Sequence, residues 1–309
     1  MKAVTVVGAS LAGLYAARAL RAQGFDGRLT VVGDETRLPY DRPPLSKEFL
    51  TAPAPEDAGA AEDAGAAEDR LALTDPGELA ALDADWLLGT RATALDPRHR
   101  TVRLDTGRTL TTDGVVLATG AAPRRLPGPA PAGSYTLRTL DDARALRAEL
   151  TGGPGRVVVI GGGFLGAEAA SSCAALGHRV TVVEAAPVPL ARQLGPDMAA
   201  LCAGLPADHG VTLLTGTGVR GVRATRGRVT AANWPAPPTP PPPPDPGQPP
   251  RRHPRSTAKG RPRDASSECQ RMPPTCPGPR PSSAAASPAR ARITASTASG
   301  SSGVRKGRT

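Results

Sequence analysis

Apolar positions along the chain fall into two blocks that share one plan. In the first, the run Val4 to Val7 ends at Gly8, Ala, Leu and Arg then follow with helical periodicity from Leu11 to Gln23, and a second run spans Leu29 to Val32. The pattern predicts strand, glycine turn, helix, strand. It recurs where Val157 to Ile160 leads through glycines and an Ala-rich helical stretch to Val180-Thr181-Val182-Val183. Two βαβ units so far apart imply an α/β fold with two Rossmann-like three-layer domains. Further strands are expected at Val115 to Leu117, at Val211 to Leu214 and within Val219 to Val229, and Trp86 opens an apolar stretch expected in the core.

Two segments interrupt the plan. Glu56 to Asp69 is the hexapeptide EDAGAA twice over, followed by Glu68 and Asp69. Acidic small residues bury too little apolar area to offset chain entropy, so a mobile surface insertion is expected. From Pro235 onward 19 of 75 residues are proline, the remainder is mostly Ser, Thr, Ala and Arg, and no aromatic residue follows Trp234. This predicts a disordered Pro/Arg/Ser-rich tail. The break falls inside a succession of strands, which suggests a shifted reading frame in a GC-rich gene. The expected organisation is therefore a first nucleotide-binding domain over 1–140 with the 56–69 insertion, an incomplete second one over 141–234, and a tail over 235–309.

Charge follows the same division. The net charge of +10 resides wholly in the tail, where 13 Lys and Arg face 3 acids, whereas residues 1–234 carry 25 of each sign. The basic balance thus says nothing about the folded part. The tail also lacks the interleaved aromatics that stack bases, so nucleic acid is not the expected partner. The chain opens directly into a strand and has no run of about 18 apolar residues, which gives the expectation of a cytoplasmic protein with no membrane partner. The four cysteines form no C-x-x-C or C-x4-C pair, and no histidine stands at ligand spacing to them, so neither a redox disulfide nor a metal site is expected.

The chemistry lies in the glycine turns. Gly8-Ala9-Ser10-Leu11-Ala12-Gly13 is a G-x-G-x-x-G fingerprint with serine at the middle glycine. Gly8 permits the turn, a small residue at position 10 admits a pyrophosphate, and Gly13 lets helix and strand pack closely. The helix N-terminus supplies free N–H groups and partial positive charge to the phosphates. Asp34 and Glu35 follow the second strand at the distance of a ribose-binding acid. The second fingerprint, Gly161-Gly162-Gly163-Phe164-Leu165-Gly166, keeps all three glycines, and Glu184 ends the strand after it. A carboxylate there accepts from a free 2′-hydroxyl and repels a 2′-phosphate, and Ala185 and Ala186 offer no arginine for one. NADH is expected over NADPH.

One further stretch narrows the reading. Tyr40-Asp41-Arg42-Pro43-Pro44-Leu45-Ser46-Lys47, with Leu137-Arg138-Thr139-Leu140-Asp141-Asp142 and Val188-Pro189-Leu190, resembles the signature of the ferredoxin (rubredoxin, putidaredoxin) reductase family. Members use FAD to pass electrons from NADH to a small iron–sulfur protein. The resemblance implies that Gly8, Ser10, Ala12 and Gly13 cradle the FAD pyrophosphate and that Asp34 or Glu35 holds the adenosine ribose. It implies that Arg42 and Lys47 lie along the flavin, that Ala92 gives backbone contacts near the adenine, and that Ala118-Thr119-Gly120 and Arg138 join the cofactor site. On the NAD side it assigns Gly161, Gly163, Gly166 and Glu184, and it pairs Glu168 with Lys47 beside the flavin. Hydride would then pass from nicotinamide to flavin without a protein nucleophile.

The chain departs from the family after Trp234. The strand returning to the FAD domain, its Gly-Asp ending and a C-terminal domain are not recognisable. Proline cannot supply a ladder N–H, so the tail is not expected to replace the lost strands. Three readings follow: an FAD/NADH ferredoxin reductase, a nucleotide-binding protein without enzymatic activity whose basic tail binds acidic partners, and an inactive frameshifted product.

Overall fold

The computed structural model describes residues 1–52, 68–235 and 291–295. Most of the EDAGAA repeat and most of the tail therefore lie outside the described residues.

The chain begins with β1 (Ala3–Val7), whose last four residues are buried, and turns at Gly8 into α1 (Leu11–Ala22). Leu14 and Ala17 face inward with no exposure, and Gly24, at φ +83°, ends the helical path before β2 (Arg28–Gly33). β2 lies parallel to β1, with Val4 beside Leu29 and Val6 beside Val31. A 3-10 helix (Pro43–Ser46) and a short helix α2 (Glu48–Thr51) follow, and then α3 (Pro76–Ala81), capped by the Asp75 carboxylate, which accepts from Glu78 N–H. β3 (Ala84–Leu88) joins the outer side of β2. β4 (Ala92–Asp96), β5 (Thr101–Leu104) and β6 (Thr109–Thr111) form an antiparallel sheet of their own before β7 (Gly114–Leu117) returns beside β1.

The first parallel sheet thus has the order β3-β2-β1-β7. Alternation along its strands fills both faces. Val4, Val6, Leu14, Ala17, Leu29 and Val31 pack on the α1 side, while Val7 and Val32 meet Val102, Leu104 and Leu110 of the antiparallel sheet. Helix, sheet and meander make the three layers that the strand periodicity predicts. Each fully buried Val or Leu contributes about 1.5–3 kcal/mol through the water it releases. Trp86 is half-buried and packs against the α1-side cluster.

The second half repeats the design. β8 (Ser134–Thr136) leads to α4 (Leu140–Leu150), which opens with a capping box in which Thr139 Oγ1 accepts from Asp142 N–H and the Asp142 carboxylate accepts from Thr139 N–H. β9 (Arg156–Ile160), α5 (Phe164–Ala175) and β10 (Arg179–Val183) form the second βαβ unit. β11 (Thr212–Leu214) adds a parallel strand, and β12 (Gly221–Thr225) and β13 (Arg228–Asn233) form a hairpin across Arg226 and Gly227, both at positive φ as a tight primed turn needs. The segment Tyr40 to Leu50 does not pack on the first sheet. Leu45, Phe49 and Leu50 enter the core of the second, among Leu146, Val157, Val159 and Ala170.

The second sheet has the order β11-β10-β9-β14-β8, in which β14 (Ala291–Ala295) comes from the tail. This corrects the expectation that no strand follows Trp234. β14 runs parallel to β9 from Ala291 beside Arg156 to Ala295 beside Ile160, and parallel to β8 on its other side. The proline argument does not apply here: Pro288 is the last proline, and Ile293 and Thr294 bring β-branching to a stretch with every N–H available.

The two fingerprints also repeat one backbone crossing. A Cβ built on Gly13 would stand 1.8 Å from the Gly8 carbonyl oxygen, and one built on Gly166 would stand 1.9 Å from that of Gly161. Gly166→Ala should therefore destabilise the protein by about 3 kcal/mol or more, because backbone rather than a side-chain tip would have to move. Gly218→Ala, with open space around its Cβ, should leave the urea midpoint almost unchanged. Equal midpoints for the two variants would mean that α5 and β9 are not in this contact.

Candidate dinucleotide and redox site

At the first fingerprint Gly8 takes φ +121°, and its N–H donates to Val32 O at 2.8 Å. A side chain at Gly8 would strike the Ala118 carbonyl oxygen at 2.0 Å, so Ala118, Thr119 and Gly120 at the end of β7 abut the turn. Ser10 stands at the N-cap of α1 in extended conformation and makes no side-chain cap bond, which leaves the first N–H groups of the helix facing outward. Ala12 and Gly13 occupy its first turn.

Two arginines converge there. Arg42 donates to Glu35 Oε1 at 2.6 Å and to the Arg138 carbonyl at 2.8 Å, and its guanidinium lies 3.3 Å from Ser10 Oγ. The Arg138 guanidinium reaches to 3.2 Å from the position a Cβ would take on Gly120. Burial, and then the neighbouring Arg42 cation, holds its pKa below the usual arginine value. Two guanidinium groups beside an uncapped helix N-terminus and a glycine cradle fit a diphosphate.

Tyr40 ties this cluster to the second half. Its hydroxyl donates to the Glu35 carboxylate in a short bond and accepts from the buried Leu140 N–H at 2.9 Å, while Arg42 stacks over the ring 5.0 Å from its centroid. Of the two acids proposed for the ribose, Glu35 joins the fingerprint cluster, whereas Asp34 is exposed and pairs with Arg91 at 3.1 Å. Ala92 opens β4, a bond away from Arg91.

The second fingerprint has the same frame. Gly161, at φ +104°, donates to Val183 O at 2.8 Å, and Gly163 is the N-cap of α5. The Glu184 carboxylate lies over the turn and accepts from Gly162 N–H and from Ala186 N–H, each at 2.7 Å. It is thus fixed at the strand end where a ribose diol would meet it.

Lys47 and Glu168 come together. Lys47 Nζ lies 3.0 Å from Glu168 Oε2 and donates also to the Pro43 carbonyl at 3.0 Å. Glu168 sits on the second turn of α5 and Lys47 just after the 3-10 helix, so two segments far apart in sequence share one ion pair. Sequence reasoning missed the polar groups around it. Ser46 Oγ donates to the same Glu168 oxygen at 2.6 Å, and Ser172 Oγ donates to Ser46 O at 2.7 Å. The available signal was spacing: Glu168 and Ser172 are four apart on one helix, and Ser46 precedes Lys47. The role of Tyr40 as a hub left no such signal.

Burial, and then the bond to Glu35, raises the Tyr40 phenol above its ordinary value. An unfolded tyrosine loses its proton near pH 10, whereas Tyr40 in the folded chain keeps it. Its contribution to stability is therefore complete below about pH 10 and is lost as the pH rises beyond it. Tyr40→Phe should cost about 1–3 kcal/mol at neutral pH by leaving the Leu140 N–H without its acceptor, and should flatten the alkaline fall. Urea midpoints at neutral and alkaline pH for both proteins check this, and parallel curves would rule it out.

Residues 2–233 match the model of the family described as pyridine nucleotide-disulphide oxidoreductase. The ferredoxin reductase component of a chlorobenzene dioxygenase from Cupriavidus sp. (strain PS12) is 40% identical over 228 residues, covering 71% of this chain and 50% of that protein. Putidaredoxin reductase of Pseudomonas putida is 38% identical over 224 residues, with 71% and 50% covered. Among solved structures, the covalent putidaredoxin reductase–putidaredoxin complex superposes with a TM-score of 0.65 at 36% identity, over 75% of this chain and 54% of that one. The chain spans about half the length of the curated relatives it matches. With a family model that spans both glycine fingerprints and the Lys47–Glu168 pair between them, the chain belongs to the pyridine nucleotide-disulphide oxidoreductase family, and within it resembles the ferredoxin reductases.

Proposed function

We propose that this chain carries the FAD and NADH sites of a ferredoxin-type reductase, an oxidoreductase that takes electrons from NADH and delivers them to a small iron–sulfur protein. One observation carries the reading: a cation that follows the first fingerprint and a carboxylate that follows the second form a single ion pair, 3.0 Å long. A nucleotide-binding protein used only for scaffolding has no need for that pairing.

In this reading Gly8, Ser10, Ala12 and Gly13 hold the FAD diphosphate with Arg42 and Arg138, and Glu35, or Asp34 in its place, accepts from the adenosine ribose. Ala92 and the Ala118-Thr119-Gly120 strand end line the remainder of the FAD site. Gly161, Gly163 and Gly166 hold the NADH diphosphate. Glu184 accepts from the 2′-hydroxyl and, by charge repulsion, disfavours the 2′-phosphate of NADPH. Bound there, FAD and NADH would supply the hydride transfer and the one-electron release themselves. Lys47 keeps positive charge beside the place where negative charge develops, and Glu168 holds that ammonium in position. No protein nucleophile is required.

The division into an FAD domain over 1–140, an NAD domain over 141–234 and a separate tail belongs to this proposal, as does a cytoplasmic location, which matches an NADH-dependent carrier. Among the described residues no helix is long and apolar enough to cross a membrane. The basic tail supports a second reading only in part, because its one described strand pairs within the second sheet.

The test is the visible spectrum of the purified chain after incubation with FAD, before and after NADH is added without oxygen. Paired flavin bands that bleach with NADH are expected, and a colourless protein that FAD cannot reconstitute would overturn the proposal. Glu184→Ala should weaken NADH binding about tenfold or more and narrow the preference over NADPH, as read by titration of each nucleotide. FAD binding should be unaffected.

A further inference from the structure

We infer that Ser46 is a positioning residue for the Lys47–Glu168 pair: its hydroxyl fixes the carboxylate oxygen that the lysine ammonium then meets. The significance of that pair rests on the reductase reading, but the geometry of Ser46 does not.

Ser46 has no exposed surface. Its hydroxyl carries one proton and has two acceptors in reach, Glu168 Oε2 at 2.6 Å and Pro43 O at 3.4 Å. The short, charge-assisted bond takes the proton. Its own carbonyl accepts from Ser172 Oγ, a buried bond of 2.7 Å one turn further along α5. Ser46 is therefore held by its backbone and holds by its side chain. Glu168 and Lys47 are both partly open to water, with side-chain exposures of 33% and 44%. An ion pair so exposed is weakly ordered by itself, since water competes for both partners and each long side chain must surrender rotamer freedom. A fully buried hydroxyl on one carboxylate oxygen removes that freedom from Glu168, so Lys47 meets an acceptor already in place.

The backbone adds a constraint. Ser46 is the last residue of the 3-10 helix, and Lys47 follows at once, its N–H donating to Pro44 O at 3.0 Å. The hydroxyl and the ammonium that reach Glu168 Oε2 thus leave adjacent residues of one rigid turn. A rotation of Glu168 breaks both contacts together.

Reactivity of the lysine amine tests this without any cofactor. The chain has four lysines, Lys2, Lys47, Lys259 and Lys306, so mass spectrometry can follow acylation of each by an amine-reactive ester in the full-length protein, with Lys2 as internal reference. Glu168→Gln sets the rate for a Lys47 that has lost its carboxylate. Ser46→Ala should raise the Lys47-to-Lys2 labelling ratio several-fold, towards the Glu168→Gln value. Ser172→Ala removes the neighbouring bond to the Ser46 carbonyl but keeps the hydroxyl–carboxylate bond, and should leave the ratio near that of the parent chain, with circular dichroism confirming that each variant folds. A ratio unchanged or lowered in Ser46→Ala would overturn the inference. So would an equal rise in Ser172→Ala, which would make Ser46 part of the general packing between the two segments. Failure to bind FAD would count against the reductase reading and leave this result standing.

Discussion

The structure depends on a backbone crossing made twice. At each fingerprint the first turn of a helix passes so close to the preceding strand end that a carbonyl oxygen occupies the space a side chain would need. That closeness puts the free N–H groups of α1 and α5 directly beyond the ends of β1 and β9, where a nucleotide diphosphate can reach them. It also sets the tilt of each helix on its sheet, and so decides which of its faces is buried. From the helix so placed, Glu168 and Ser172 both bond to Ser46 at the end of the 3-10 helix.

From that constraint the site assembles in opposite fashions at its two ends. The glycine turns proposed to cradle the diphosphates are local, each drawn from one strand, one turn and one helix. The proposed redox end is shared. Tyr40, Arg42, Ser46 and Lys47 follow the first fingerprint in sequence, yet their bonds reach Leu140, Arg138 and Glu168, and their apolar neighbours Leu45, Phe49 and Leu50 are buried in the core of the second half. The segment acts as a graft, and the burial of its three large side chains fixes the registry of the polar groups between them.

This difference explains what could be read in the sequence. The two βαβ units were legible because strand and helix periodicities and glycine turns are local signals. The Lys47–Glu168 pair came from resemblance, since nothing in either neighbourhood points to the other. Ser46 and Ser172 left only their spacing to Lys47 and Glu168 as a signal, and the Tyr40 hub left none, because a serine or tyrosine that bonds across the fold looks the same in sequence as one in water. The different surroundings of Asp34 and Glu35, both just past the end of β2, were likewise not legible, since one pairs with Arg91 and the other with Arg42 from distant parts of the chain. β14 escaped for another reason: a compositional argument about the whole tail averaged away the proline-free, β-branched stretch around Ile293 and Thr294.

That strand bears on how the chain reaches its native state during synthesis. β9 is the middle strand of its sheet, and one of its two neighbours, β14, follows it by some 130 residues. When the ribosome has made α5, β10 and β11, one edge of β9 still waits for a partner that must cross the whole proline-rich stretch before it exists. Pairings so distant in sequence close slowly, and an unfilled slot in a parallel sheet can accept any extended segment nearby. The second sheet therefore closes only after the proline-rich stretch has been made, and until then its open slot offers the nascent chain an edge at which another copy of itself can pair.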